Sequence, residues 1–262
     1  MNILFTLITF ICFVPCFAQE RQQLSDAHVK SKTEYIYQLR KNGKPDKGRF
    51  LSKTLYNRKG EAIEDSVVWV EGMWRKGSVT YTEHGNYLTD LNIVKKEDGS
   101  IDTLFTNYTY EGDSVKKTYD KYGSLKSREV KVNDTLRKVY NGHGIFLYTI
   151  TEKESLTTKY GASNCRTSIT ASPEGQVWSH IVYYLDKEGK TLKTEIDNSR
   201  IEKYTYDEKG RKTADIETTT QNKPLSKTLY KYNEKGLTVE TTSYDYKGKP
   251  VDRIKCTYEY FE

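Results

Sequence analysis

The chain has 262 residues, of which 35% are hydrophobic, 30% are charged and 22 are Tyr, with a net charge of +6. That balance excludes a thick aliphatic core and suits thin sheets, in which each Tyr buries its ring and keeps its hydroxyl wet. Lys and Glu are interleaved, as in Lys95-Lys96-Glu97-Asp98, so the charge reads as solvated strand faces rather than a nucleic-acid stripe or a disordered segment.

Residues 1–18 are apolar, carry no charged side chain and end in Cys16-Phe17-Ala18, which resembles a small-x-small cleavage site. The run is too short for a comfortable span and contains Pro15, so it reads as a secretory signal peptide. The protein is therefore expected to be exported, to the periplasm, the cell surface or beyond. Nothing later is apolar enough to cross a bilayer as a helix. Residues 19–32 are polar with a single Leu and read as a flexible lead, or a short helix at best. From residue 33 to 150, alternating runs at 33–39, 50–56, 65–70 and 78–82 read as strands, broken at Asn42-Gly43, Asn57 to Gly60, Glu71-Gly72 and Glu83 to Asn86. Residues 151–176 are rich in Ser, Thr and small side chains and read as an irregular loop or joint. Strands resume over 177–262.

One unit recurs most clearly at the end of the chain: Tyr206-Asp207-Glu208-Lys209-Gly210, Tyr232-Asn233-Glu234-Lys235-Gly236 and Tyr244-Asp245-Tyr246-Lys247-Gly248. Asp or Asn bonds its own backbone two residues on, and Gly supplies a positive φ, so Asx-x-x-Gly reverses the chain between two strands on a type I turn. Copies open at Asn57, Asp120, Asp186, Asp207, Asn233 and Asp245, and their spacing suggests a period near 21 residues. No helical periodicity persists after residue 18. The expected fold is all-β, an elongated twisted array of antiparallel β-hairpins.

Tyr204-Thr205-Tyr206-Asp207-Glu208-Lys209-Gly210-Arg211 resembles the YD repeat of the RHS family, and Tyr230 to Gly236 is a second copy with Asn for Asp. Trp74-Arg75-Lys76-Gly77 and Asn42-Gly43-Lys44 resemble MORN-type hairpins. The resemblance implies a hairpin array, not the encapsulating role of the long RHS shells, because this chain is too short to close a toxin-sized cage. Asp65-Ser66-Val67, Asp102-Thr103-Leu104, Asp113-Ser114-Val115 and Asp134-Thr135-Leu136 resemble the acceptor tripeptide of a bacterial periplasmic O-glycosylation system; ordinary turn-to-strand chemistry explains them equally well.

Chemistry is sparse. His28, His84, His143 and His180 show no metal-ligand or His–carboxylate spacing, and Ser179 and His180 point to opposite faces of one strand. No nucleophile elbow or phosphate loop occurs. We expect no enzyme, no cofactor and no metal. Cys165 and Cys256 remain after cleavage; a disulfide between them and two separate thiols are both open, and CxxC spacing is absent. The strongest candidate surface is aromatic: Trp69, Trp74, Tyr81, Trp178 and Tyr183 as a face for a glycan or protein partner, set against plain cross-strand pairing. The sequence thus suggests a non-catalytic, exported binding or scaffold protein of the bacterial envelope that binds no nucleic acid. The alternatives are a periplasmic immunity-like protein that neutralises a toxin, and a cell-wall or glycan hydrolase.

Overall fold

The computed structural model describes residues 14–40, 44–70 and 73–262, with side chains from residue 20 onward except those of residues 69 and 70. Most of the expected signal segment and the turns at Asn42-Gly43 and Glu71-Gly72 lie outside the described residues. A helix, α1 (Val14–Asp26), comes first. The strands that follow are β1 (Val29–Gln38), β2 (Arg49–Tyr56), β3 (Ala62–Val70), β4 (Met73–Tyr81), β5 (Tyr87–Lys95) and β6 (Ile101–Glu111). Next come β7 (Val115–Tyr119), β8 (Leu125–Asn133), β9 (Leu136–Asn141), β10 (Phe146–Leu156), β11 (Asn164–Ala171) and β12 (Val177–Leu185). The chain ends with β13 (Thr191–Ile196), β14 (Arg200–Tyr206), β15 (Lys212–Thr219), β16 (Pro224–Tyr232), β17 (Thr238–Tyr244) and β18 (Pro250–Tyr260).

Every strand pairs antiparallel with its sequence neighbours, and β1 pairs with β18 as well as with β2. The sheet is therefore a closed up-and-down barrel of 18 strands, not the open elongated array that the hairpin repeat suggests. Closure gives both outer ladders a partner and removes the free edges an open array would expose. The two expected arrays are one continuous sheet. Residues 151–176 are no joint: β10 and β11 form a hairpin through them, and the irregular part is the 157–163 loop, with one 3-10 turn at Lys159–Gly161.

Residues 19–32 are not a flexible lead either. They form the end of α1 and the start of β1. The helix has almost no apolar stripe, and Leu24 anchors it in a cluster with Val29, Tyr56 and Leu237. Arg21 pairs with Glu61 at 2.5 Å and donates from Nε to the Lys59 carbonyl at 3.3 Å, while the Ser25 hydroxyl donates to the Arg58 carbonyl at 3.0 Å. The helix is thereby hooked over the β2–β3 turn.

All six expected Asx turns form. In each, the first residue's N–H donates to the carbonyl four residues on, and the glycine N–H donates back, as at Asp207, Arg211 and Gly210 (2.9 and 2.8 Å). The Asp207 carboxylate accepts from the Lys209 and Arg211 amides at 3.0 and 2.9 Å. This is a type I turn closed by a bulge. The same geometry recurs at Thr82, Lys96, Asn141, Ser172 and Thr219, where the first residue is not always Asx. At the last of these Asn222, with φ 60°, stands in for glycine. Successive turns at Asp207, Thr219, Asn233 and Asp245 lie one strand apart, so the unit is a strand plus a turn. The apparent period near 21 spans two strands where the turn between them, at Asp197-Asn198, has no Asx-x-x-Gly signature.

Register assigns each side chain to one of two faces. Glu34, Ser52, Cys256 and Tyr258 share one, as do Asp65, Arg75, Asp90, Glu202, Asp215 and Tyr230 further round. Leu24 of α1 packs on Tyr56 of this face, and burial pushes up the ionisation of its Tyr81, Tyr204 and Tyr258. A closed sheet crowds side chains on its concave side, so this face is the lumen wall. The outer wall carries lysines at mid-strand, including Lys76, Lys117, Lys138 and Lys203. A Lys at a bilayer midplane costs about 2–4 kcal/mol, so this wall forms no lipid-facing belt.

Gly60 sits at φ +72°, and a Cβ there would run into the Arg21 carbonyl oxygen; Gly189 has φ +80° in the same kind of turn with nothing near it. Gly189→Ala should lose only the backbone cost, about 1–2 kcal/mol. Gly60→Ala should lose a further ~1–3 kcal/mol by prising α1 off the turn. Thermal unfolding of the two variants measures the difference, and equal Tm losses would mean α1 is not seated there.

Candidate functional site

The lumen wall is built from alternate residues of strands whose aromatic and hydroxyl content comes from β propensity. Its best-defined patch lies on β14–β16. The Tyr204 hydroxyl donates to Glu202, and the Tyr230 hydroxyl donates to Asp215 at 2.5 Å. Lys212 pairs with Asp215 at 3.0 Å, Arg200 pairs with Glu217 at 3.2 Å, and the Ser226 hydroxyl donates to Glu217 at 2.9 Å. Glu202 and Glu217 stand directly opposite in register. Like charges so placed repel, and these neighbours offset that repulsion.

A second patch lies on β3–β6. Arg75 pairs with Asp65, and Gly77 leaves room for that carboxylate, which a Cβ would strike. Asn92 donates to Asp90 at 2.6 Å, yet burial holds the Asp90 carboxyl above its ordinary range, helped by Asp65 and opposed by Arg75 and Asn92. Tyr81, Tyr87 and Tyr108 line up beside it, with ring centroids 5.4 and 6.0 Å apart. Near α1, Lys32 pairs with Glu34 at 2.9 Å and the Ser52 hydroxyl donates to Glu34 at 2.6 Å. Cys256 lies against the same carboxylate at 3.7 Å, and burial pushes its thiol up to about 11.

The outer wall has one compact cluster, at the 157–163 loop. Lys193, only 4% exposed at its side chain, pairs with Glu195 at 2.9 Å and lies 3.2 Å from the Tyr160 ring centroid. Tyr160 and Tyr184 meet edge to face at 4.9 Å and donate to Glu195 at 3.0 and 2.9 Å. Tyr160 holds φ at 59°, a strained value for a bulky side chain. The cation, both rings and the carboxylate compensate for it.

The aromatic residues picked from sequence do not form one face. Trp74 is on the outer wall, with Lys76 5.8 Å from its ring. Tyr81 and Tyr183 are on the lumen wall; the Tyr81 hydroxyl donates to the Ala62 carbonyl at 2.7 Å, and Arg166 covers the Tyr183 ring at 5.1 Å. Trp178 is bulged at the start of β12, exposed, and 6.0 Å from the Tyr148 ring. Trp69 is on β3, and its side chain is outside the described residues. Cys165 and Cys256 are separate thiols on opposite walls, so they form no disulfide. Ser179 and His180 do point to opposite faces of β12. Among the described residues no group of His, Cys, Asp and Glu side chains is arranged to hold a metal. Sequence reasoning missed Glu202, Asp215, Glu217 and Asp90, because ordinary-looking carboxylates become a wall only once register places them on one face.

No protein-family model matches the chain, and no curated protein is similar to it in sequence. Among solved structures it is similar to a porin-like protein from Bacteroides uniformis at 11% identity and a TM-score of 0.46, over 88% of this chain and 98% of that one. A porin-like protein from Bacteroides vulgatus gives 12% identity and a TM-score of 0.31, over 90% of this chain and 100% of that one. An outer membrane lipoprotein-sorting protein domain from Vibrio parahaemolyticus gives 13% and 0.22, over 93% and 91%. These likenesses are too distant to assign a function.

Two titrations test the geometry. Burial opposes the ionised form of Glu195, but Lys193, Tyr184 and Tyr160 hold its pKa down to about 2. Its contribution to stability is therefore complete above the ordinary carboxylate range and disappears as pH falls toward about 2. Glu195→Gln should flatten the acid limb of a Tm-against-pH curve; an unchanged limb would mean the cluster does not form. Asp90 has the opposite sign: a raised folded pKa costs stability once pH rises above the unfolded value. Asp90→Asn should raise Tm at neutral pH, and a lower Tm would show that the charge is structurally needed.

Proposed function

We propose that the protein is a non-catalytic binding or scaffold barrel, exported to the cell envelope, whose lumen takes a polar, hydroxyl-rich ligand of the glycan class. The lumen wall carries this reading. Tyr204, Tyr230, Glu202, Asp215 and Glu217 combine ring faces that stack on sugar C–H groups with carboxylates that accept sugar hydroxyls. The apolar signal segment supports export, and the YD-type resemblance supports construction from repeated hairpins. Binding is the reading favoured over hydrolysis because Tyr204, Arg200 and Ser226 hold the opposed carboxylates Glu202 and Glu217 as hydrogen-bond acceptors, and a carboxylate so held keeps lone pairs for a sugar hydroxyl.

Saturation-transfer NMR of the purified protein with soluble peptidoglycan fragments and neutral oligosaccharides tests the proposal. We expect transfer to sugar protons that falls at least about tenfold in Glu202→Gln/Asp215→Asn, equivalent to about 1.4 kcal/mol. The variant's circular dichroism should be unchanged. No transfer from any glycan, or transfer indifferent to the substitutions, would overturn the reading. Glycan turnover that Asp90→Asn abolishes would replace it with hydrolysis.

A further inference from the structure

The two mouths of the lumen are built by different turns. Turns that lead from an even to an odd strand lie at the α1 end, where α1 is hooked over one of them, and turns that lead from an odd to an even strand lie at the far end. Many of these turns are followed by a bulge that adds one unpaired residue to the strand. The β14–β15 hairpin shows where such a residue points. Thr213 is the extra residue, and its hydroxyl meets that of Thr205, the residue opposite the bulge, at 2.9 Å. A bulged side chain therefore joins the wall of the residue it faces. In β12 the extra residue is Trp178, and the residue opposite the bulge is Thr170. Thr170 shares a face with Arg166, which stands opposite lumen-facing Tyr183, so the bulge turns Trp178 into the lumen at the far mouth.

Trp178 has a partner there. Tyr148, opposite Val139, lies on the same wall, because Lys138 beside Val139 points outward. The two ring centroids are 6.0 Å apart and the rings are tilted by 56°. Trp178 is 44% exposed, so Tyr148 covers one part of the indole and the rest is open. Among the described residues neither the indole N–H nor the Tyr148 hydroxyl has a hydrogen-bond partner, whereas the hydroxyls of Tyr204, Tyr206, Tyr230 and Tyr232 are all engaged. An open aromatic face with unused donors at its edge suits a sugar ring, which lays C–H groups on the rings and offers hydroxyl oxygens to the donors. The Glu202–Glu217 patch lies further in. Trp178 is five residues before Tyr183, and Tyr183, Thr194 and Glu202 follow one another across the sheet. That separates the aromatic pair from Glu202 by roughly 15 Å along the strands and roughly 10 Å across them. Ile181 and Ile196 pave the wall between.

We propose that Trp178 and Tyr148 form a second sugar subsite at the far mouth of the lumen, and that the ligand is an extended oligosaccharide reaching from it to the Glu202–Asp215 patch. The inference rests on the glycan reading of the lumen and adds the length of the chain to it. A disaccharide is too short to touch both subsites. A longer chain touches both, and its second contact is made at the effective concentration that the first one sets.

Calorimetric titration of the purified protein with soluble peptidoglycan fragments and neutral oligosaccharides, each from the disaccharide upward, tests it. We expect the longest chains to bind at least about tenfold tighter than the disaccharide. Trp178→Ala should remove that advantage and leave disaccharide binding unchanged, while Trp178→Phe, which keeps a ring, should retain most of it. Glu202→Gln/Asp215→Asn should weaken binding at every length. Circular dichroism should be the same for all variants, since Trp178 is exposed and outside both buried clusters. The difference in tryptophan emission between the unaltered protein and Trp178→Phe should shift to shorter wavelength with the long chains only. Glycan binding that does not depend on chain length, or a length dependence that Trp178→Ala leaves intact, would overturn the subsite while the lumen reading stands. No binding of any glycan would overturn both.

Discussion

Closure of β1 on β18 is the constraint from which the rest follows. It pairs residues near the two ends of the described chain, from Val29 opposite Tyr260 to Gln38 opposite Asp252. With that ladder made, no strand of the sheet has a free edge, and each side chain is committed to one of two walls. The sequence alternates ring, hydroxyl and carboxylate against lysine, and in a closed sheet that alternation becomes a polar lumen and a cationic exterior. In an open sheet the same alternation would make two solvated faces with no inside.

The turns act with the walls. At two Asx turns of the α1 end, those opening at Asp207 and Asn233, the Tyr preceding the turn points into the lumen. Its hydroxyl then reaches the carbonyl that follows the neighbouring turn: Tyr206 reaches Thr191, and Tyr232 reaches Lys212, both at 2.7 Å. Tyr258 reaches Thr238 in the same way at 2.6 Å. Each such bond fastens one hairpin to the next and satisfies a carbonyl that the bulge leaves outside the ladder. At the other end the Tyr before the turn, as at Tyr119 and Tyr244, points outward and makes no such latch. One sequence unit therefore does two jobs, depending on which end of the barrel it occupies.

This explains what could be read from the sequence. The Asx-x-x-Gly turns and the alternating runs that read as strands are local, set by side-chain chemistry and period two, and they were legible. Ring closure was not, because nothing near Glu34 in sequence announces Cys256, 222 residues away. Helix α1 was legible only as the weaker alternative to a flexible lead: among the described side chains Leu24 is its apolar anchor, hydrogen bonds to a turn hold the rest, and one anchor makes no periodic pattern. The aromatic candidates misled for a related reason. Composition counts tyrosines and tryptophans but does not say which wall each one joins, and bulges such as the one at Trp178 shift the alternation. The lumen carboxylates became visible only through register.

The closing ladder also fixes an order of events. β1 is made first among the strands and its second partner last, so one edge of β1 must stay unpaired until β18 has emerged and the intervening meander has formed. Contacts this distant along the chain form slowly. During that interval the growing sheet has two live edges, the second moving outward with each added strand. The charged side chains along β1, from Lys30 to Glu34, keep the waiting edge soluble, much as edge lysines guard permanently open sheets. A barrel closed by its outermost strands can therefore acquire its inside only after the whole chain is present in one compartment.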